Sequence, residues 1–118
     1  MAWRIDTDLQ PGYLMLRIIG NAEARVTGEI VAAVYREIMA SNRSKVIVDI
    51  REVDGRLTVL ETFNMVSGFP SLQGIRAAVI DRPENNQWFE FYETVSVNRG
   101  YCNKVFTEME IAMDWLEI

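Results

Sequence analysis

Hydrophobic and polar positions change period along this chain, and the changes divide it into short elements. In Trp3-Arg4-Ile5-Asp6 apolar and polar side chains alternate, as on a half-exposed strand over residues 3–6. Gln10-Pro11-Gly12 supplies turn chemistry. Residues 13–19, Tyr-Leu-Met-Leu-Arg-Ile-Ile, predict a second strand, paired with the first as an antiparallel hairpin. Ile30, Val31, Val34, Tyr35, Ile38 and Met39 then recur at helical spacing. They predict a helix over residues 28–41, with Thr27 as N-cap and Asn42 as stop. Residues 44–50 contain Val46-Ile47-Val48, an unbroken β-branched run that predicts a strand covered on both faces.

A charged loop over residues 51–56 follows, and Thr58 can cap a second helix carrying Val59, Leu60, Phe63 and Val66. Gly68, Phe69 and Pro70 have the chemistry of a helix stop. Residues 75–81 predict another buried strand, and Arg82-Pro83-Glu84-Asn85-Asn86 a turn into a third helix over residues 86–98. A short strand over residues 103–106 precedes Thr107-Glu108-Met109-Glu110, which has the pattern of a capping box. The helix behind it carries Ile111, Ala112, Trp115 and Leu116. Strands alternating with helices imply right-handed crossovers and a parallel sheet. The expected architecture is one three-layer α/β domain over residues 1–118. It has a mostly parallel sheet of about five strands, an antiparallel N-terminal edge strand and about four helices.

Composition narrows the chemistry. The 118 residues carry 12 Lys and Arg against 17 Asp and Glu, a net charge of -5. That balance argues against nucleic acid or anionic lipid as the main partner. The chain has no His, which removes the commonest general base and zinc ligand. Its single Cys, Cys102, permits neither an internal disulfide nor a Cys-based metal cluster. Seven glycines are scattered without a phosphate-binding pattern, so no cofactor is expected. No basic-then-apolar leader and no membrane-length apolar run is present, and a cytoplasmic location is expected.

The element order and the ending Lys104-Val105-Phe106-Thr107-Glu108-Met109-Glu110-Ile111-Ala112-Met113-Asp114-Trp115-Leu116 resemble the SpoIIAA-like proteins. These are relatives of the STAS domain of sulfate transporters and anti-sigma-factor antagonists. Residues 76–81 and Asn98-Arg99-Gly100 also fit that group. The resemblance implies a SpoIIAA-like three-layer fold and a regulatory or interaction role. Antagonists of this kind carry Asp-Ser-Ser-Gly or Asp-Thr-Ser-Gly where the helix after the third strand begins, and the second hydroxyl is phosphorylated. Here the region reads Arg56-Leu57-Thr58-Val59-Leu60. Leu57 stands for the acid, Val59 for the neighbouring hydroxyl, and the Gly is missing. Thr58 is therefore a vestigial phosphoswitch position, expected to act as a helix cap and not as a phosphate acceptor.

Two groups of residues are candidates for function. Asp49 and Asp81 end the two buried strands, and with Asp54 they invite a metal-ion or acid–base reading at the sheet's C-terminal edge. Strand-end acids more often meet helix N-termini or arginines, of which Arg51, Arg56, Arg76, Arg82 and Arg99 are at hand. No nucleophile–base pair is visible, so these acids are read as structural, with no catalytic or metal-binding role. The third helix is richer in apolar material: Trp88, Phe89, Phe91 and Tyr92 fall within five residues. Their arc exceeds a narrow core stripe, and Met65 points away from the apolar face of its own helix. Trp88, Phe89, Phe91, Tyr92 and Met65 are thus the candidate partner or ligand surface. The expected function is a non-enzymatic STAS-like module that binds a protein or a second copy of itself as a homodimer. The alternative is a binder of a small apolar or lipid-like ligand, as in the CRAL-TRIO domains that share this type of fold.

Overall fold

The computed structural model describes residues 3–21, 23–58, 61–62, 64, 68, 74–98 and 102–118. Five strands form one sheet: β1 (Trp3–Leu9), β2 (Leu14–Asn21), β3 (Lys45–Asp54), β4 (Arg76–Ile80) and β5 (Cys102–Phe106). Their spatial order is β1-β2-β3-β4-β5, so every strand lies beside its sequence neighbour. β1 and β2 are antiparallel, as the Gln10-Pro11-Gly12 turn predicts, and the other pairs are parallel. The described helices with full bounds are α1 (Ala24–Ser41), α2 (Asn86–Asn98) and α3 (Met109–Leu116). Of the predicted second helix, Glu61, Thr62 and Asn64 are helical. Val59, Leu60, Phe63, Val66, Phe69 and Pro70 lie outside the described residues.

Sequential strand order combined with right-handed crossovers places connecting helices on one face of the sheet. α1 and α2 lie there, over Leu14, Leu16, Ile18, Val46, Val48, Val79 and Val105. α3, which follows β5, covers the opposite face. There Ala112 and Leu116 pack on Ile47, Ala78, Ile80 and Phe106. The side chains alternate because successive strand residues point to opposite faces. This is why Val46-Ile47-Val48 reads as continuous: Ile47 serves one core, its neighbours the other. Trp115 fixes α3 on the sheet, its ring 5.5 Å from that of Phe106 and 4.2 Å beneath the Arg76 guanidinium.

Several boundaries and caps depart from the sequence expectation. α1 begins at Ala24, a turn before residue 28, with Glu23 as N-cap. Val26 packs against the main core and extends the stripe of Ile30, Val34 and Ile38 by one turn. Thr27 does not cap; its hydroxyl donates to the Glu23 carbonyl at 3.1 Å. β3 continues through the expected charged loop to Asp54, because Gly20 and Asn21 of β2 pair with Val53 and Asp54 and Val53 is buried. β1 runs on to Leu9, in register with β2 throughout. Finally, no capping box forms at Thr107: Glu108 is the N-cap of α3 and makes no side-chain cap bond. Asn42 does end α1, in the left-handed region at φ 56°.

Candidate functional site

Asp81 follows β4 at the C-terminal end of the sheet, where ligands of open α/β sheets bind; Asp49, expected at a strand end, instead lies midway along β3, because pairing with β2 carries that strand on to Asp54. Asp49 lies in register with Arg17 of β2 and Ile80 of β4. It is buried, at 3% exposure, beneath two guanidinium groups. Arg51 grips it at both oxygens, Nε to Oδ1 at 3.0 Å and Nη2 to Oδ2 at 2.8 Å, and its backbone N–H donates to Oδ1. Arg17 Nε stands 3.8 Å away on the other side. Burial alone pushes the Asp49 carboxyl upward. The Arg51 hydrogen bonds and the charges of Arg51 and Arg17 outweigh it, and the net shift is below the usual carboxylate value.

Asp81 is fully buried and belongs to a separate cluster. Arg56 spans both its oxygens, with Nε 2.9 Å from Oδ2 and Nη2 on Oδ1. The Arg82 N–H donates to Oδ1 at 2.7 Å and Asn85 Nδ2 at 3.0 Å. The rest of the Arg56 guanidinium donates to the carbonyls of Ile50, Val53 and Gly55. All five of its N–H groups are therefore used. Arg56 thus ties the end of β3 to the end of β4. Gly55, at φ 82°, lets the chain turn back to place it there.

Two residues further on, Thr58 makes the capping box that Thr107 does not. Its N–H donates to Glu61 Oε1 at 2.9 Å, and the Glu61 N–H donates to Thr58 Oγ1 at 3.2 Å. The Thr62 N–H and hydroxyl both donate to the Thr58 carbonyl at 2.9 Å. Thr58 is exposed, but its hydroxyl oxygen is engaged at the helix start, with a carboxylate at the same turn. Asp54 is exposed and takes no part in either cluster. Among the described residues, no three acidic or cysteine side chains come together as a metal site would require. Arg56 and Arg51 were named from the sequence as available partners. Arg17 was not, because only strand register brings it to Asp49.

The aromatic run of α2 is largely drawn into the main core. Tyr92 is buried; Trp88, Phe89 and Phe91 are half-buried against the same cluster. Trp88 stacks on Tyr92 at 4.8 Å and 15°. The Tyr92 hydroxyl accepts from Asn103 Nδ2 at 3.1 Å, and burial pushes its pKa up to about 12. The large exposed apolar side chain on this helix is Val97. Met65 lies outside the described residues. Between α1, the sheet and α2 lies an apolar cavity of about 170 Å³, lined by residues including Val34, Ile38, Val48, Val79, Trp88 and Tyr92. Trp88 Nε1 is buried without a hydrogen-bond partner. Nothing in the sequence signals this space, since it depends on how far the helices stand from the sheet.

No family model matches the sequence, and no curated protein matches it. Solved structures do match. An anti-sigma factor antagonist from Mycobacterium paratuberculosis superposes with a TM-score of 0.66 at 8% identity, over 99% of this chain and 96% of that one. An uncharacterized protein with a SpoIIAA-like fold from Shewanella loihica PV-4 gives 0.59 at 20% identity, over 98% and 94%. The anti-sigma factor antagonist SpoIIAA in its unphosphorylated form gives 0.52 at 14% identity, over 99% and 98%. With this sheet order, antiparallel edge and end-to-end coverage, the chain has a SpoIIAA-like fold.

Proposed function

We propose that this chain is a non-enzymatic STAS-like regulatory or interaction module, a single cytoplasmic domain over residues 1–118 that acts by binding a protein partner. The observation that carries the reading is the state of the two buried acids of the sheet. Asp49 and Asp81, the acids the sequence offers for catalysis, are held as ion pairs by Arg51 with Arg17 and by Arg56. A carboxylate whose oxygens are already taken up by donors has little left to offer a substrate. Two of the similar folds are, by name, antagonists of anti-sigma factors, and so act on another protein. Thr58 serves as a cap in this reading and takes no phosphate, because Leu57 and Val59 replace the residues of the switch and the Glu61 carboxylate, accepting from the Thr58 N–H, places a negative charge at the same turn. The half-buried Trp88, Phe89 and Phe91, with Tyr92 behind them and Met65 as a further candidate, are the proposed partner surface.

A second reading, binding of a small apolar ligand, is favoured by the cavity beside Trp88 and Tyr92. Native mass spectrometry of protein purified from its own host separates the two. A stoichiometric protein partner with no added small mass supports the interaction module. A retained hydrophobic molecule of fixed mass overturns it in favour of the ligand reading.

A further inference from the structure

The two edges of the sheet are not alike. β5 is five residues long and carries Lys104, a charge that discourages strand pairing. β1 has seven residues, Trp3-Arg4-Ile5-Asp6-Thr7-Asp8-Leu9, with no Pro, Gly or Lys and no bulge in its pairing with β2. Among the described residues, no strand pairs with its outer side. Trp3 and Ile5 pack toward α1, and the Thr7 hydroxyl bonds Glu37 of that helix. Arg4, Asp6 and Asp8 therefore project from the opposite face, where α3 covers β4 and β5 and leaves β1 open. Arg4 and Asp6 side chains are 66% and 53% exposed and lie 3.6 Å apart at Nε and Oδ1.

We infer that the outer side of β1 pairs antiparallel with β1 of a second copy of this chain, about a two-fold axis through Ile5. In that register residue i faces residue 10 − i. Ile5 meets Ile5, Trp3 meets Thr7, and Arg4 meets Asp6 at both ends of the axis. Facing residues share parity, so both turn their backbone groups toward the partner or both turn them away, as an antiparallel ladder requires. Shifting the axis to Asp6 keeps two opposite-charge contacts, Arg4 with Asp8, but sets Asp6 against Asp6 on the axis itself, which like-charge repulsion disfavours. The alternating charges that repel an unrelated strand are thus complementary to a second copy. The result is a continuous ten-stranded sheet across the dimer, five strands from each copy. This inference concerns self-association and does not depend on the identity of the protein partner proposed above.

Charge-swapped full-length chains test it. Arg4→Asp places Asp at positions 4 and 6; Asp6→Arg places Arg at both. Each variant alone sets like charges against each other at two points, and each should dimerise about tenfold more weakly than the parent chain. Mixed together, the two variants restore both opposite-charge contacts, and a heterodimer should form with about the parent affinity. Sedimentation velocity reads both results, and circular dichroism confirms that each variant is folded. Salt should weaken the parent dimer, since these pairs are exposed. A parent chain that stays monomeric up to about 1 mM overturns the inference. So does a dimer insensitive to both edge variants, and if Phe91→Asp dissolves that dimer, the interface belongs to α2.

Discussion

The two buried carboxylates of the sheet and the layer between α1 and α2 differ in how their polar groups are met. Each buried carboxylate is met by a fork of donors, and Arg56 uses every N–H it has on Asp81 and three carbonyls. In the helical layer the Trp88 indole N–H is buried without a partner, beside apolar space that side chains do not fill. Both carboxylates are closed chemically and leave little for a substrate to engage, although Arg82 Nε beside Asp81 is, like the indole N–H, buried without a hydrogen-bond partner. The helical layer retains both room and an unused donor.

The sharpest way to break that contrast is Arg56→Ala. It strands a carboxylate with no solvent access and frees three carbonyls, and should cost about 3–5 kcal/mol in urea unfolding. Arg56→Lys should recover less than half of this, because an ammonium cannot span both Asp81 oxygens and the carbonyls together. A loss below about 1 kcal/mol for Arg56→Ala would show that Asp81 is not closed in as described.

Asp49→Asn is the next largest, at about 1–3 kcal/mol near neutral pH, since it removes the charge that Arg51 and Arg17 share. Its pH dependence has a defined sign. The native carboxyl titrates below its unfolded value of about 3.9, so its contribution is full above that pH. It is lost as pH falls through the lowered native value, and the parent and Asp49→Asn unfolding free energies should converge there. Unfolding series from neutral to strongly acidic pH check the convergence. Carbon-13 NMR of the side-chain carboxyl would place the native pKa directly.

Thr58→Ala should lower stability by about 1 kcal/mol through loss of the capping box. Phosphopeptide mapping of protein from the native cell should find Thr58 unmodified. The smallest effect is expected from Val34→Ile. The added methylene can enter the cavity and should raise stability by up to about 0.8 kcal/mol in thermal unfolding. A loss of similar size would mean that the layer is already packed to its limit, and the contrast in room between the two regions would disappear.

Local pattern was enough for much of this molecule. The β-branched and small apolar runs at Val46-Ile47-Val48 and Ala78-Val79-Ile80 identified the central strands, because a strand buried on both faces must be apolar at every position. Pro83 ahead of Asn86 helped to place α2, and Asn42 marked the end of α1. The supply of arginines near Asp49 and Asp81 was also legible. What remained depended on contacts between residues distant in sequence. β3 outran its apolar segment because β2 was there to pair with Val53, and α1 gained a turn because Val26 found the core. Thr58 and Thr107 have the same cap chemistry three residues before a Glu, and only the path of the chain decided which would close a box. The same holds for charge and volume. Any of several arginines could have met Asp81, but the turn at Gly55 selected Arg56, and strand register alone brought Arg17 to Asp49. Four aromatics in five residues announced a large apolar surface, while the distance from helix to sheet decided how much of it to bury and how much space to leave. Periodicity is a property of neighbours along the chain; pairing and packing are properties of neighbours in space, and those are chosen only when the sheet closes.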